Sequence, residues 1–213
     1  MILKGFIFDL DGTLGDTLPI CLEAFRLTFK EFTGKVFTDD EISVYFGRTE
    51  EGIIGQVVPD YYAPAVEFYQ ETYERLHQSL TEPFPGIKEV LAQLKEKGVR
   101  LAVVTGKGQQ SAVVSMKYLG LQLYFEYLDT GTPDGPNKPE AVQHVLQKWG
   151  IKPDETAYVG DTLYDMEAAL SIGVHPFGAG WAPKAGISTQ NPGAAKIVFT
   201  SVKQFNHWIT HMF

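Results

Sequence analysis

The sequence predicts an α/β fold, a doubly wound, Rossmann-like parallel sheet, with a small all-helical insert. Short apolar runs such as Gly5–Phe8 recur along the chain, and amphipathic helical stretches separate most of them. Strands that alternate with helices pair in parallel through right-handed crossovers. The insert is indicated by residues 18–82, where no strand-like run occurs.

The predicted strands are apolar throughout, which is typical of strands buried on both faces. The strong runs are residues 5–8, 100–105 and 157–160, and the weaker ones are residues 127–128, 174–177 and 197–199. Among the helices between them, Ile87–Glu96 has apolar residues at helical spacing and ends before Gly98.

The insert is expected to consist of helices. Its first helix is indicated by apolar residues at helical spacing, namely Leu18, Leu22, Phe25, Phe29 and Phe32. The run Thr38-Asp39-Asp40-Glu41 has the form of a capping box, a further helix is expected over residues 64–80, and residues 83–86 form a return hinge. We therefore expect an α/β core of residues 1–15 and 83–213 and a helical cap domain of residues 16–82.

Composition excludes several classes of protein. The 213 residues include 18 Lys and Arg against 26 Asp and Glu, with no basic run that could follow a phosphate backbone, which argues against nucleic acid as a partner. Cys21 is the only cysteine, so an intrachain disulfide is impossible. The apolar stretch at residues 2–10 is too short for a signal peptide or a membrane span, and we expect a soluble, cytoplasmic protein without a membrane partner. The oligomeric state cannot be predicted.

Polar residues of useful types follow the strong strands. Asp9 and Asp11 follow the first, Thr105 and Gly106 end the second, and Asp161 follows the third. Two more polar residues accompany them: Asp165 lies four residues after Asp161, and Lys138 lies between the weak strand near Tyr127 and the next helix. The carboxyl ends of parallel strands border one crevice, so we expect these side chains to converge there.

Such a cluster of carboxylates predicts a magnesium site, because crowded acids repel one another unless a cation compensates them. Thr105, Gly106 and Lys138 offer donors and positive charge to an anion, which we interpret as a phosphoryl group. Asp9 then suits a covalent nucleophile, and Asp11 suits the acid that protonates the leaving oxygen.

The motifs, in their order along the chain, resemble those of the haloacid dehalogenase-like hydrolase superfamily. They are Asp9-Leu10-Asp11-Gly12-Thr13, Thr105, Lys138-Pro139 and Gly160-Asp161-Thr162-Leu163-Tyr164-Asp165. The chain is most similar to the phosphoglycolate phosphatase branch, whose helical cap follows the first motif. The resemblance implies that Asp9 is the nucleophile and that Asp11 is the acid/base. It also implies that Thr105 and Lys138 bind phosphate, and that Asp9, the Asp11 main-chain carbonyl, Asp161 and Asp165 hold Mg²⁺.

Two positions bear on the substrate. Many relatives have Asn where this chain has Gly106, and Lys107 or a backbone amide could replace the missing donor. Arg48 is expected in a loop between two helices, where it could bind a second anionic group of the substrate or could simply be solvated.

The sequence predicts a magnesium-dependent phosphatase that acts on a small phosphorylated metabolite, such as a phosphoglycolate-like phosphomonoester. A sugar phosphomutase that resembles beta-phosphoglucomutase is the alternative within the same scaffold. A receiver-like, phospho-accepting signalling module is the alternative from another class, since a shared fold does not fix function.

Overall fold

A six-stranded parallel sheet forms the centre of the protein. The computed structural model describes residues 2–212, so residues 1 and 213, the outer ends of the predicted core ranges, lie outside it. The strands are β1 (Gly5–Phe8), β2 (Arg100–Val104), β3 (Tyr127–Asp129), β4 (Thr156–Gly160), β5 (His175–Ala179) and β6 (Ile197–Phe199). Their order in the sheet is β3-β2-β1-β4-β5-β6, which confirms the predicted fold class.

Nine α-helices accompany the strands within residues 2–212. They are α1 (Leu18–Thr33), α2 (Asp39–Ser43), α3 (Glu50–Val57), α4 (Tyr62–His77), α5 (Ile87–Glu96), α6 (Gln109–Tyr118), α7 (Lys138–Trp149), α8 (Leu163–Ser171) and α9 (Val202–Met212). None of them combines the length and the apolar character that crossing a bilayer requires.

The strand β1 lies at the middle of the sheet because both of its faces are apolar. Phe6 and Phe8 point into the hydrophobic cluster shared with α5, α6 and α9, whereas Ile7 points into the cluster shared with α7 and α8. Phe6 pairs with Leu101 of β2 on one side and with Ala157 of β4 on the other. The winding of the sheet reverses at β1, so a crevice opens where β1 and β4 end.

Helices α1 to α4 pack around a hydrophobic cluster of their own. It contains the apolar residues of the predicted first helix, including Leu22, Phe25 and Phe29, together with Tyr69 and Tyr73 of α4. Thr38 and Glu41 form the predicted capping box.

The helix predicted over residues 64–80 spans Tyr62–His77 instead. Its start differs because Pro64 is tolerated in a first helical turn, where its missing N–H has no intrahelical partner. Its end differs because the amides of Ser79 and Leu80 bond to carbonyls three residues back, which closes a tighter turn.

Candidate active site

A cavity of about 490 Å³ lies between the carboxyl ends of the strands and helices α1 and α3. The predicted site residues that line it are Asp9, Asp11, Arg48, Thr105, Gly106, Lys138 and Asp161. Asp165 is fully buried and contacts the site through Lys138. The structure thus brings together residues that are separated by more than 150 positions in the sequence.

Asp9 is held rigidly at the end of β1. Its amide donates to the Val159 carbonyl of β4, which continues the strand pairing by one residue. Its Oδ1 accepts from the Leu10 amide at 2.7 Å, and its Oδ2 accepts from Lys138 Nζ at 2.8 Å. Burial raises the pKa of Asp9 to about 6, an effect that Lys138 opposes and the negative charge of Asp165 reinforces.

Lys138 is the first residue of α7, and its ammonium lies between Asp9 and Asp165. Burial alone would lower the pKa of this lysine, but the Asp165 and Asp9 carboxylates outweigh burial and raise it well above its usual value. Lys138 therefore stays a cation at neutral pH and fixes the direction of the Asp9 carboxylate.

Asp165 uses both carboxylate oxygens within the protein. Its Oδ2 accepts from the Thr162 amide at 3.0 Å and from Thr162 Oγ1 at 2.7 Å, which closes a capping box at the start of α8. Its Oδ1 accepts from Lys138 and lies 3.5 Å from the Tyr158 hydroxyl. Asp165 thereby joins the α8 terminus to the lysine of the site.

Asp161 has fewer side-chain hydrogen bonds within residues 2–212 than Asp165: the Thr13 hydroxyl lies 3.5 Å from its Oδ1. Burial, followed by the negative charges of Asp165 and Asp9, raises the pKa of Asp161. The turn at Gly12 makes room for it: Gly12 has a φ of 73°, and a Cβ there would lie 2.4 Å from Asp161 Oδ2. Glycine is required at this position by both the backbone and the neighbouring carboxylate.

The carboxylates of Asp9, Asp161 and Asp165 form a compact donor set. One oxygen from each lies within 4.8 Å of the others. Lys138 compensates one of the three negative charges, which leaves two uncompensated when all are ionised. An all-oxygen set with this residual charge fits a hard divalent cation such as Mg²⁺.

Asp11 lies outside that donor set, although it lines the same cavity. It comes after the end of β1, and its Oδ1 accepts from the Thr17 hydroxyl while its Oδ2 lies 3.3 Å from Lys107 Nζ. Lys107 also lies 3.3 Å from Glu50 Oε1. The sequence offered no signal for Glu50, because an acid in the first turn of a helix is common.

The loop after β2 leaves space beside the cavity. Thr105 is buried, and its hydroxyl accepts from the Lys107 amide at 3.3 Å. A Cβ at Gly106 would meet open space, whereas a Cβ at Gly131 would lie 2.2 Å from the Gly106 carbonyl oxygen. Gly106 therefore leaves the cavity open beside Thr105, and the ammonium of Lys107 contacts the carboxylates of Asp11 and Glu50.

Arg48 lies in the predicted loop, between α2 and α3, and is partly exposed. The cavity has three other cations, Lys107, Lys138 and Lys184, and each of these forms an ion pair. Within residues 2–212, Arg48 is the cavity cation that has no carboxylate partner.

Comparison with known proteins identifies the family of this chain. A family model described as haloacid dehalogenase-like hydrolase matches residues 6–179. The chain is 32% identical over 187 residues to a phosphoglycolate phosphatase of Thiobacillus denitrificans, with 82% of each sequence covered. It is 31% identical over 186 residues to the pyrophosphatase PpaX of Halalkalibacterium halodurans, with 85% of this chain and 86% of the relative covered.

A solved structure shares the fold. CbbY from Rhodobacter sphaeroides, in complex with phosphate, superposes with a TM-score of 0.79 at 20% identity and covers 94% of this chain and 95% of that one. The resemblance to the superfamily and to its phosphoglycolate phosphatase branch is confirmed by the sequence relatives. This protein belongs to the haloacid dehalogenase-like hydrolase family.

Proposed function

We propose that the protein is a magnesium-dependent phosphatase that hydrolyses a small, phosphoglycolate-like phosphomonoester through an aspartyl phosphate on Asp9. The observation that carries this proposal is the position of Asp9: it opens onto the cavity at the end of β1, with one oxygen fixed by Lys138 at 2.8 Å. Curated relatives named phosphoglycolate phosphatase and pyrophosphatase support a phosphorylated substrate.

In the proposed reaction, an Asp9 oxygen attacks phosphorus and the bond from phosphorus to the leaving oxygen breaks. Asp11 gives a proton to that oxygen as it leaves. Water then attacks phosphorus and gives a proton to Asp11, and the bond from phosphorus to Asp9 breaks, which releases phosphate and restores both acids.

The residues around the phosphoryl group have complementary roles. Lys138 and the Thr105 hydroxyl bind its oxygens, with the open backbone of Gly106 beside them. Asp9, Asp161 and the Asp11 main-chain carbonyl, with Asp165 as the family resemblance implies, would hold Mg²⁺. When bound, the ion offsets the negative charge that the acids and the phosphoryl group bring together.

We further propose that residues 16–82 act as a cap domain that limits the size of the substrate. Phe25 and Ile53 from this segment form an apolar wall of the cavity, and Arg48, which also lines it, has no carboxylate partner in the part of the chain that the structure describes. A cavity of about 490 Å³ is at the small end of ligand sites. A small metabolite with a second anionic group suits this arrangement.

The test is a phosphate-release screen over a metabolite panel, with and without Mg²⁺, in which the wild type is compared with Asp9→Asn. We expect the wild type to release phosphate only with the metal, and the variant to fold while turnover falls by several orders of magnitude. Isomer formation without phosphate release would indicate the phosphomutase. A phosphorylated protein that does not turn over would indicate the receiver-like module. Retained activity in Asp9→Asn would refute the role of Asp9.

A further inference from the structure

Glu50 joins the cap helices to the core through a buried carboxylate. It is the first residue of α3, and its Oε2 accepts from the Gly108 amide at 2.6 Å while its Oε1 lies 3.3 Å from Lys107 Nζ. The side chains of Glu50 and Lys107 are 4% and 1% exposed. A carboxylate buried this completely needs such partners, because an unpaired buried charge is costly.

The contact with Gly108 satisfies the amide of the residue that precedes α6. Gly108 is the N-cap residue of α6, and its own amide is the one that a Glu or Gln at the third helical position accepts from in a capping box. Glu50 accepts from this terminus across 58 positions of sequence, and its negative charge suits the positive end of the helix dipole.

Glycine at position 108 is required by the approach of Glu50. The Gly108 backbone has a φ of −68°, which any residue adopts. A Cβ there would nevertheless lie 2.6 Å from Glu50 Oε2, closer than a real contact allows. The Glu51 carboxylate lies against the same turn, since its Oε2 would be 2.8 Å from that Cβ, so the turn at Gly108 accommodates two carboxylates, of which Glu50 accepts from the Gly108 amide.

Lys107 extends the connection to Asp11. Its Nζ lies 3.3 Å from Asp11 Oδ2 as well as from Glu50 Oε1, and it stands 4.6 Å above the ring of Tyr73 from α4. The Asp11 and Glu50 carboxylates and the Tyr73 ring keep the ammonium charged despite burial, and the pKa of Lys107 is raised. Two of the three groups around the ammonium, Glu50 and Tyr73, come from the cap helices.

We propose that Glu50 is a positioning residue: docked against the start of α6, it holds Lys107 where that lysine fixes the Asp11 carboxylate for proton transfer. This inference rests on the proposed function, in which Asp11 is the acid/base. It adds that a cap residue outside the phosphate site sets the position of the group that protonates the leaving oxygen.

The test compares Glu50→Gln with Glu51→Gln. Glu51 is the matched control, since it is the next acid in the same helical turn and has no ion pair within residues 2–212. Each variant is assayed with p-nitrophenyl phosphate, whose leaving group needs little protonation, and with an alkyl phosphate, whose leaving group needs a proton from Asp11. A purely structural effect would lower both rates equally.

We expect Glu50→Gln to lower kcat on the alkyl phosphate about tenfold or more, with less than a threefold loss on the aryl phosphate and little change in KM. Glu51→Gln should match the wild type on both substrates. Equal losses on the two substrates, no loss, or the same pattern in Glu51→Gln would overturn the proposal.

A second variant keeps every charge in place. Gly108→Ala should displace the carboxylates of both Glu50 and Glu51 by steric overlap, since its Cβ would lie 2.6 Å and 2.8 Å from their Oε2 atoms. Because Glu51→Gln is expected to match the wild type, we expect Gly108→Ala to reproduce the selective loss on the alkyl phosphate if Glu50→Gln does not fold. Crystal structures of both variants should show Asp11 away from Lys107, and an unchanged Asp11 to Lys107 contact would contradict the proposal. Phosphate release by the wild type and by Asp9→Asn tests the proposed function separately. A wild type that releases no phosphate refutes that function, whatever the crystal structures of the Glu50 and Gly108 variants show.

Discussion

Lys138 and Asp9 form a buried ion pair in which the Nζ to Oδ2 distance is 2.8 Å and each side chain is 8% exposed. The lysine also contacts Asp165, so a single cation serves two of the three acids of the donor set. The charge balance of the site therefore depends on Lys138 before any metal binds.

Lys138→Met should destabilise the metal-free protein by about 3–5 kcal/mol at pH 7.5, because it leaves the carboxylates buried without their cation. At pH 5 the loss should be smaller, since acids with raised pKa values take up protons. Urea unfolding at the two pH values measures both effects. Lys148→Met, an exposed change on the same helix, is the control, and an equal loss in both variants would contradict this account.

The asparagine variants of Asp161 and Asp165 should have different defects, one in Mg²⁺ binding and the other in stability. Asp161→Asn should raise the Mg²⁺ concentration for half-maximal activity at least about tenfold, because it removes a carboxylate of the donor set whose one side-chain hydrogen-bond partner within residues 2–212 is Thr13. Asp165→Asn should lower the free energy of unfolding by about 3 kcal/mol, since it leaves Lys138 without one buried partner.

A Mg²⁺ titration of activity and urea unfolding decide between these outcomes. The sequence predicted both acids as metal ligands. If Asp165→Asn kept its stability and lost Mg²⁺ affinity as Asp161→Asn does, Asp165 would act chiefly as a metal ligand and its contacts with Lys138 and Thr162 would be secondary.

Magnesium should stabilise the protein more at pH 7.5 than at pH 5. Burial raises the folded-state pKa values of Asp9, to about 6, and of Asp161, so in the metal-free protein their contribution to stability is present below pH 4 and is lost as pH rises through these values. Mg²⁺ binds the ionised carboxylates, so it restores stability at the higher pH, where these acids have lost their protons. Thermal unfolding with MgCl₂, against NaCl of equal ionic strength, measures the difference; a larger gain at pH 5 would show that the ion binds elsewhere.

Arg48→Ala should raise KM about 10- to 100-fold for substrates with a second anionic group, because it removes the cavity cation that has no carboxylate partner among residues 2–212. The KM for p-nitrophenyl phosphate should change little. Steady-state kinetics with both substrates provide the measurement, and Arg75→Ala, an exposed arginine of α4, is the control. An equal rise in KM for both substrates would exclude a contact with the second anion.

The elements that local sequence determines were predicted to the residue or nearly so. Strand Gly5–Phe8 and helix Ile87–Glu96 have the predicted bounds, because an unbroken apolar run and a helical apolar period are both local signals. The polar residues at the strand ends were also identified, since a parallel sheet must gather its carboxyl ends at one edge.

The contacts among these residues could not be predicted, because they depend on tertiary packing. Asp9 and Asp11 were expected to converge in one crevice, and both line the cavity, but the sequence did not reveal that Asp9 pairs with Lys138 and Asp11 with Thr17 and Lys107. Glu50 looked like an ordinary acid of a first helical turn. Its role emerges only where α3 meets α6, a contact between segments more than fifty residues apart.

The central place of β1 has a consequence for synthesis on the ribosome. Its two neighbours begin at Arg100 and Thr156, so the first strand cannot pair on one side before residue 100 is made, nor on the other side before residue 156 is made. The buried residues of the α1 to α4 cluster lie within residues 21–73, and helix α6 completes their cover through Val114 and a hydrogen bond between Ser115 and Tyr73. A nascent chain that stalls before residue 100 would therefore expose the Phe6-Ile7-Phe8 segment, would lack the α6 contacts of the helical cluster, and would have no active centre.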